Sequence, residues 1–154
     1  MEFFGLVKKR HSVRNFSSRP VESQKIEKIL SVARTAPSAG NLKAYKIIVV
    51  DRVPLESELA QISSGMQFLT LPGPVVLVFC ALPEVSAAEY EARGKNLYAV
   101  QDATIACAYA QLAAAELGLG ACWVGAFDEQ AVKSLLDLEQ KIVPVALLPV
   151  GYEG

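Results

Sequence analysis

The chain has 154 residues, of which 52% are hydrophobic and 20% are charged, and its formal net charge is −1. This length predicts one domain over residues 1–154 that folds without a disulfide or metal staple. A near-neutral charge without a basic run argues against a nucleic-acid partner, and no apolar run is long enough to span a bilayer. The single histidine argues against a metal site, and three widely spaced cysteines indicate reduced thiols in a cytoplasmic protein.

Hydrophobic periodicity, β-branched runs and turn residues divide the chain into helices and strands. The predicted helices cover residues 2–9, 22–35, 54–62, 98–117 and 128–136. The predicted strands cover residues 45–50, 74–82, 121–127 and 141–151. Asp128 is the expected cap of the last helix, and the two prolines of the last strand indicate an edge or irregular position. The alternation predicts a layered sheet covered by helices.

The long helix over residues 98–117 carries a seam of small side chains at heptad spacing. The seam consists of Ala99, Ala103, Ala106, Ala110 and Ala113. Two interpretations fit it equally well. It packs on the sheet of its own domain, or it lies on a dimer axis against a second copy of the chain. Positive mean hydropathy favours a large interface with another subunit in either case.

The first segment with candidate binding residues is "KKRHSVRNF", residues 8–16. Lys9, Arg10, His11, Ser12 and Arg14 gather just after the first predicted helix. Arginine presents a planar fork that matches phosphate oxygens, and the serine hydroxyl adds a donor. A solvated basic turn is the simpler interpretation when this cluster is considered alone.

The second segment is "APSAGN", residues 36–41, which separates a helix from a strand. Small residues and glycine let the backbone approach a flat ligand closely. Asn41 supplies both a donor and an acceptor, which suits a ring edge with carbonyl and N–H groups. The structural alternative, compatible with ligand binding, is a helix C-cap with Gly40 in the left-handed conformation.

The third segment is "GLGACWVGAF", residues 118–127, in which Gly118 and Gly120 end the long helix. Backbone N–H groups beside Gly125 are placed to reach a ring nitrogen. A buried strand with a core tryptophan is the better interpretation of this segment when it is considered alone.

In this order, the three segments resemble the nitroreductase family of FMN-dependent oxidoreductases, from about Phe3 to Gly151. The resemblance implies an α+β fold of three α/β/α layers with a central mixed sheet, and an intertwined homodimer with two FMN sites at the subunit interface. It also implies NADH or NADPH as co-substrate, a nitroaromatic, quinone or similar small-molecule acceptor, and ping-pong turnover. No side chain is expected to be catalytic, since the flavin carries the chemistry.

The resemblance also implies the role of each site residue. One subunit holds the phosphate and ribityl region of FMN through Arg10, His11, Ser12 and Arg14. The other subunit contacts the flavin through Pro37, Ser38, Ala39 and Asn41. Trp123, Val124 and Gly125 lie along the isoalloxazine on the first subunit's side, and Gln67 falls near its pyrimidine edge.

Two features depart from the family pattern. The family usually follows its asparagine with glutamine, proline and an aromatic residue, whereas here Leu42, Lys43, Ala44 and Tyr45 follow Asn41. The family usually continues past "GY" with a basic tail, whereas this sequence ends at "GYEG", so it resembles a short, C-terminally truncated member with weaker FMN retention. The competing functions are a flavin-binding or sensor protein without efficient turnover, and a dimeric scaffold that binds no flavin.

Overall fold

The computed structural model describes residues 2–69 and 71–154; residues 1 and 70, which the predicted domain includes, lie outside this range. The helices are α1 (Phe3–Lys9), α2 (Ser23–Ala33), α3 (Leu55–Gln61), α4 (Pro83–Arg93), α5 (Ala99–Glu116) and α6 (Glu129–Leu135). The strands are β1 (Tyr45–Val50), β2 (Val75–Ala81), β3 (Gly120–Ala121) and β4 (Val143–Gly151). Most predicted elements are confirmed to within a few residues of each end.

The four strands form one sheet in the order β1-β2-β4-β3, and every neighbouring pair is antiparallel. A parallel pairing joins Ser12 to Ala121 as an isolated bridge at the β3 edge. The central sheet is thus antiparallel rather than mixed, apart from this one bridge, and the α+β class is confirmed.

Strand β2 is the centre of the fold, because each of its seven residues is buried. Val75, Leu77 and Phe79 belong to the core cluster that includes residues of α2 and α5. Val76, Val78 and Cys80 belong to a second cluster with residues of α3 and α6. Full burial of each large apolar side chain contributes about 1.5–3 kcal/mol. A continuous apolar run thus produces a sheet with helices on both faces, which confirms the predicted three layers.

The alanine seam of α5 packs against the sheet of its own domain. All five of its alanines are buried in the cluster that contains Leu77, Phe79 and Ala146. The first of the two interpretations of the seam is therefore confirmed. Small side chains let α5 approach the sheet closely, and Val100 and Tyr109, on the two flanks of the seam, stay exposed.

Two predictions about the sheet need correction. The third strand ends at Ala121 instead of continuing to residue 127. Beyond it, the Cys122 N–H donates to the Pro149 carbonyl at 3.3 Å, and Val124 pairs with Leu147. Strand β4 lies inside the sheet, so the predicted edge position is wrong. Its predicted irregularity is confirmed, since the register against β2 shifts between Phe79 and Cys80, opposite Pro144.

Helix α4 is absent from the sequence-based prediction. It starts with Pro83 in its first turn and continues through a wider π-helical turn, Gly94–Tyr98, into α5. Asp128 caps α6 as predicted, since the Ala131 N–H donates to its Oδ1 at 2.9 Å. Across the described ranges, no helix combines the length and the apolar character that crossing a membrane requires.

Candidate functional site

The segment that contains Arg10 to Arg14 lies along β3. The Val13 N–H donates to the Ala121 carbonyl oxygen at 3.0 Å, and the Val13 side chain is buried. A Cβ on Gly120 would stand 2.6 Å from Val13 Cγ2, so this close approach requires glycine. The segment is thereby fixed by its backbone, while the side chains of His11, Ser12 and Arg14 are exposed.

A basic cavity of about 180 Å³ lies between this segment and the C-terminal end of α5. Lys9, Arg10 and His11 line one side of it, and Gln111 and Gly118 line the other. Within residues 2–69 and 71–154, the guanidinium groups of Arg10 and Arg14 have no hydrogen-bond or ion-pair partner. Arg10 lines the cavity, which therefore offers positive charge and unused donors to an anion beside the carboxylate of Glu153. Ser12 and Arg14 are not among the lining residues.

His11 is oriented by two oxygen acceptors of its own chain. Its Nδ1 lies 3.0 Å from the Lys9 carbonyl oxygen, and its Nε2 lies 3.2 Å from Glu153 Oε1. An imidazolium ring donates to both acceptors, and its pKa is accordingly raised by the Lys9 carbonyl first and by Glu153 second. His11, which was predicted to bind the phosphate, is thus hydrogen-bonded to the carboxylate of Glu153 in this structure. A phosphate at Nε2 would replace that carboxylate.

The turn at residues 38–41 has a left-handed backbone, with φ of 59° at Gly40 and 57° at Asn41. The Asn41 N–H donates to the Ser38 carbonyl at 3.0 Å, and the Lys43 N–H donates to Ser38 Oγ at 2.9 Å. The left-handed conformation predicted for Gly40 is confirmed. Its predicted role as a helix C-cap is wrong, because α2 ends at Ala33.

Asp102 of α5 holds this turn through one hydrogen bond. Its Oδ1 accepts a hydrogen bond from the Ala39 N–H at 3.1 Å, and only 2% of the residue is exposed. Sequence reasoning missed Asp102, although it is the only charged residue between Ala99 and Ala115. A lone carboxylate in an otherwise apolar helix is the signal that could have found it.

The residues from Trp123 to Gly125 differ in how accessible they are to a ligand. Val124 is 2% exposed, and its N–H and carbonyl both bond to Leu147 at 2.9 Å. The fold therefore uses both the side chain and the backbone groups of Val124, and little of this residue remains for a ligand. Gly125 is exposed, and Trp123 is half-buried against the core.

Gln67 is exposed, but its amide points back toward α3. Its Nε2 lies 3.3 Å from the Ala60 carbonyl and 3.4 Å from the Ser63 carbonyl, and it donates to both. The neighbouring Gly65 N–H donates to the Ala126 carbonyl at 2.8 Å. The segment around Gln67 thus lies beside the residues that follow Trp123, while its side chain serves the local fold.

The structure places two of the predicted segments near opposite ends of α5. The segment at 10–14 lies near its C-terminal end, where Ala115 lines the basic cavity. Residues 123–125 follow β3, and Val124 pairs with Leu147 in the middle of β4. The turn at 38–41 lies near the first turn of α5, where Asp102 holds it. At 1.5 Å per residue, Asp102 and Ala115 stand about 20 Å apart along the helix. One chain therefore presents two half-sites rather than one pocket.

The fold has a sheet with helices on both faces, and the candidate site has a basic cavity and a separate left-handed turn. Comparison with known proteins shows which family has this fold. Residues 7–152 match the model of the Nitroreductase family. This match covers nearly the whole chain, and the protein belongs to the nitroreductase family.

Solved structures and a curated relative agree with this assignment. A nitroreductase family protein from Clostridium novyi NT superposes with a TM-score of 0.90 at 31% identity, covering 100% of this chain and 86% of its own. An FMN-dependent nitroreductase from Clostridium difficile R20291 gives 0.84 at 31% identity, covering 98% and 87%. An Archaeoglobus fulgidus protein, provisionally named NADH dehydrogenase/NAD(P)H nitroreductase, is 31% identical over 98% of this chain and 85% of its own length.

Proposed function

We propose that this protein is an FMN-dependent oxidoreductase that takes reducing equivalents from NADH or NADPH and reduces nitroaromatic, quinone or similar electron-poor acceptors. The observation that carries the proposal is the pairing of a basic cavity with a left-handed turn within a nitroreductase fold. The cavity suits the phosphate of FMN, and the turn suits a flat ring. The name of the Clostridium difficile neighbour, which includes FMN, supports the choice of cofactor.

A homodimer is part of the proposal, because a separation of about 20 Å keeps the two half-sites of one chain apart. Antiparallel pairing of two α5 helices about a two-fold axis would place the cavity of one subunit beside the turn of the other. The exposed apolar side chains of Phe3, Phe4, Val32 and Tyr109 support this pairing. Several of them line a groove of about 410 Å³ between α1 and α5.

The residues present fit FMN. Arg10 and Arg14 have unused guanidinium donors for a phosphate, and hydrogen bonds to charged groups contribute about 1.5–3 kcal/mol each. The exposed amide of Asn41 offers a donor and an acceptor to the edge of a ring. The exposed backbone at Gly125 can approach the same ring closely, since it carries no side chain.

When bound, FMN would supply the redox chemistry, which is hydride acceptance from NAD(P)H at N5 and electron transfer to the acceptor. The chain binds and orients the cofactor and restricts access of water to it. No side chain of this chain is required as a general acid or base. If donor and acceptor use one position in turn, ping-pong kinetics follow. Three buried cysteines remain unpaired, which favours a reducing, cytoplasmic location.

The first experiment is a visible spectrum of the purified protein before and after addition of FMN. Flavin bands that stay with the protein are the expected result, and their absence after FMN addition would refute the proposal. Stopped-flow mixing with excess NADH and NADPH should then bleach the flavin. A holoprotein that stays oxidised with both donors would instead be a flavin-binding or sensor protein.

Arg10→Ala tests the phosphate contact. The loss of one charge-assisted bond should weaken FMN binding by about tenfold or more. Arg52→Ala, which removes an exposed arginine just after β1, is the matched control and should leave the affinity unchanged. Equal affinity of the wild type and Arg10→Ala would remove this role from Arg10.

Phe4→Ser tests the subunit interface. Phe4 is 80% exposed in a single chain, so the substitution should leave folding intact and shift the dimer toward monomer. Sedimentation velocity measures this shift. A wild-type protein that sediments as a monomer at micromolar concentration, even with FMN present, would exclude the proposed interface.

A further inference from the structure

Asp102 is a buried carboxylate whose second oxygen has no partner. Its Oδ1 accepts the Ala39 N–H, whereas Oδ2 is buried without a hydrogen bond among the residues that the structure describes. Asp102 lies in the first turn of α5.

A half-satisfied buried carboxylate is costly, because desolvation of a charged group is repaid only by hydrogen bonds. A small apolar residue at this position would continue the alanine pattern of α5 without that cost. Among residues 2–69 and 71–154, the Asp102 side chain makes one hydrogen bond, which reaches Ala39 in the turn at 38–41. Its effect on the conformation of that turn is therefore what distinguishes it from alanine.

The bond to Asp102 determines which groups of the turn face outward. The N–H groups of Ala39, Asn41 and Lys43 are all used inside the protein, by Asp102 and by Ser38. Tyr90 packs behind the turn, with its hydroxyl 2.5 Å from the position that a Cβ on Gly40 would occupy. The exposed outer surface of the turn consists of Gly40 and the side chain of Asn41.

We propose that Asp102 is a positioning residue of the flavin site: through the Ala39 N–H it holds the left-handed turn in the shape that meets the cofactor bound by the opposite subunit. This role rests on the proposed function. Asp102 touches neither cofactor nor substrate and acts only through the turn.

Two substitutions at Asp102 separate positioning from general stability. Asp102→Ala removes the acceptor and should free the Ala39 amide, which then exchanges its hydrogen faster. It should weaken FMN binding by about tenfold. Asp102→Asn keeps an acceptor oxygen for the same N–H, so it should restore slow exchange at Ala39 and an affinity within about threefold of the wild type.

Asp128 provides the matched control, because its carboxylate also accepts one backbone N–H, from Ala131 at 2.9 Å. Asp128→Ala should lower the melting temperature while leaving FMN affinity and exchange at Ala39 unchanged. Amide exchange followed by NMR and FMN titration of the dimeric protein provide the two readouts. The exchange measurement does not depend on activity.

The outcomes divide cleanly. Faster exchange and weaker FMN binding in Asp102→Ala, both reversed in Asp102→Asn, support the role. An Asp102→Ala protein with wild-type FMN affinity overturns it, and so does an Asp102→Asn protein that binds FMN as weakly as Asp102→Ala. A wild-type protein that binds no FMN refutes the proposed function and this role with it, whereas wild-type binding with insensitive variants refutes only the role of Asp102.

Discussion

Replacing Glu56 by glutamine should stabilise the protein above pH 7 and change little below pH 4. Glu56 belongs to α3, is only 3% exposed and lines a groove of about 520 Å³ with Asp51 and Glu27. Burial first, and the negative charge of Asp51 second, raise the pKa of this carboxyl from 4.5 to about 7. The folded protein therefore retains a proton that the unfolded chain has already released.

The sign and size of the effect follow from this difference in pKa. Between pH 4.5 and 7 the folded state binds more protons at Glu56, so the free energy of unfolding falls as the pH rises. Each pH unit removes about 1.4 kcal/mol. The full loss is about 3 kcal/mol, which is an upper limit because water entering the groove would reduce it.

Urea denaturation at intervals from pH 4 to pH 8 measures this dependence. The wild type should lose stability relative to Glu56→Gln across the range, and the two curves should converge at the acidic end. Glu58→Gln, an exposed change on the same helix, should follow the wild type. Parallel wild-type and Glu56→Gln curves would show that Glu56 is solvated in the folded state, and the reasoning from burial would fail.

Two further predictions concern the site. Glu153→Gln should lower the pKa of His11, read from an NMR titration of its ring protons, because the hydrogen bond and the negative charge of Glu153 both raise it; an unchanged midpoint would mean that the Glu153 contact is absent in solution. Gly40→Ala should destabilise the protein by about 1–3 kcal/mol, since alanine resists the left-handed conformation and its Cβ would meet Tyr90. Gly125→Ala, whose Cβ would have 3.5 Å of clearance, should shift the melting temperature much less.

Local sequence patterns predicted the elements whose residues have the propensity for the structure that they adopt. The β-branched run Tyr45–Val50 is strand β1 at its predicted limits, and the cap at Asp128 stands where predicted. The third strand was predicted too long, because the apolar character of Cys122 to Val124 reflects burial rather than continuous pairing. The position of β4 inside the sheet depends on long-range pairing that two prolines do not reveal.

The candidate site was predictable as segments but not as geometry. The sequence indicated residues 10–14 and 38–41 as candidates, but not that they lie near opposite ends of α5. It also missed contacts between residues far apart in the chain, such as His11 with Glu153 and Ala39 with Asp102. Such contacts arise only when the chain folds, so residue types and spacing give no direct sign of them.

The location of the two half-sites at opposite ends of α5 has a genetic consequence. In the proposed dimer, each flavin would be shared between chains, so Arg10→Ala and Asn41→Ala damage complementary halves. A heterodimer of these two mutants would contain one pocket with both lesions and one with neither. Co-expressing the two weakened alleles should therefore give more activity at limiting FMN than either gives alone, as expected for interallelic complementation.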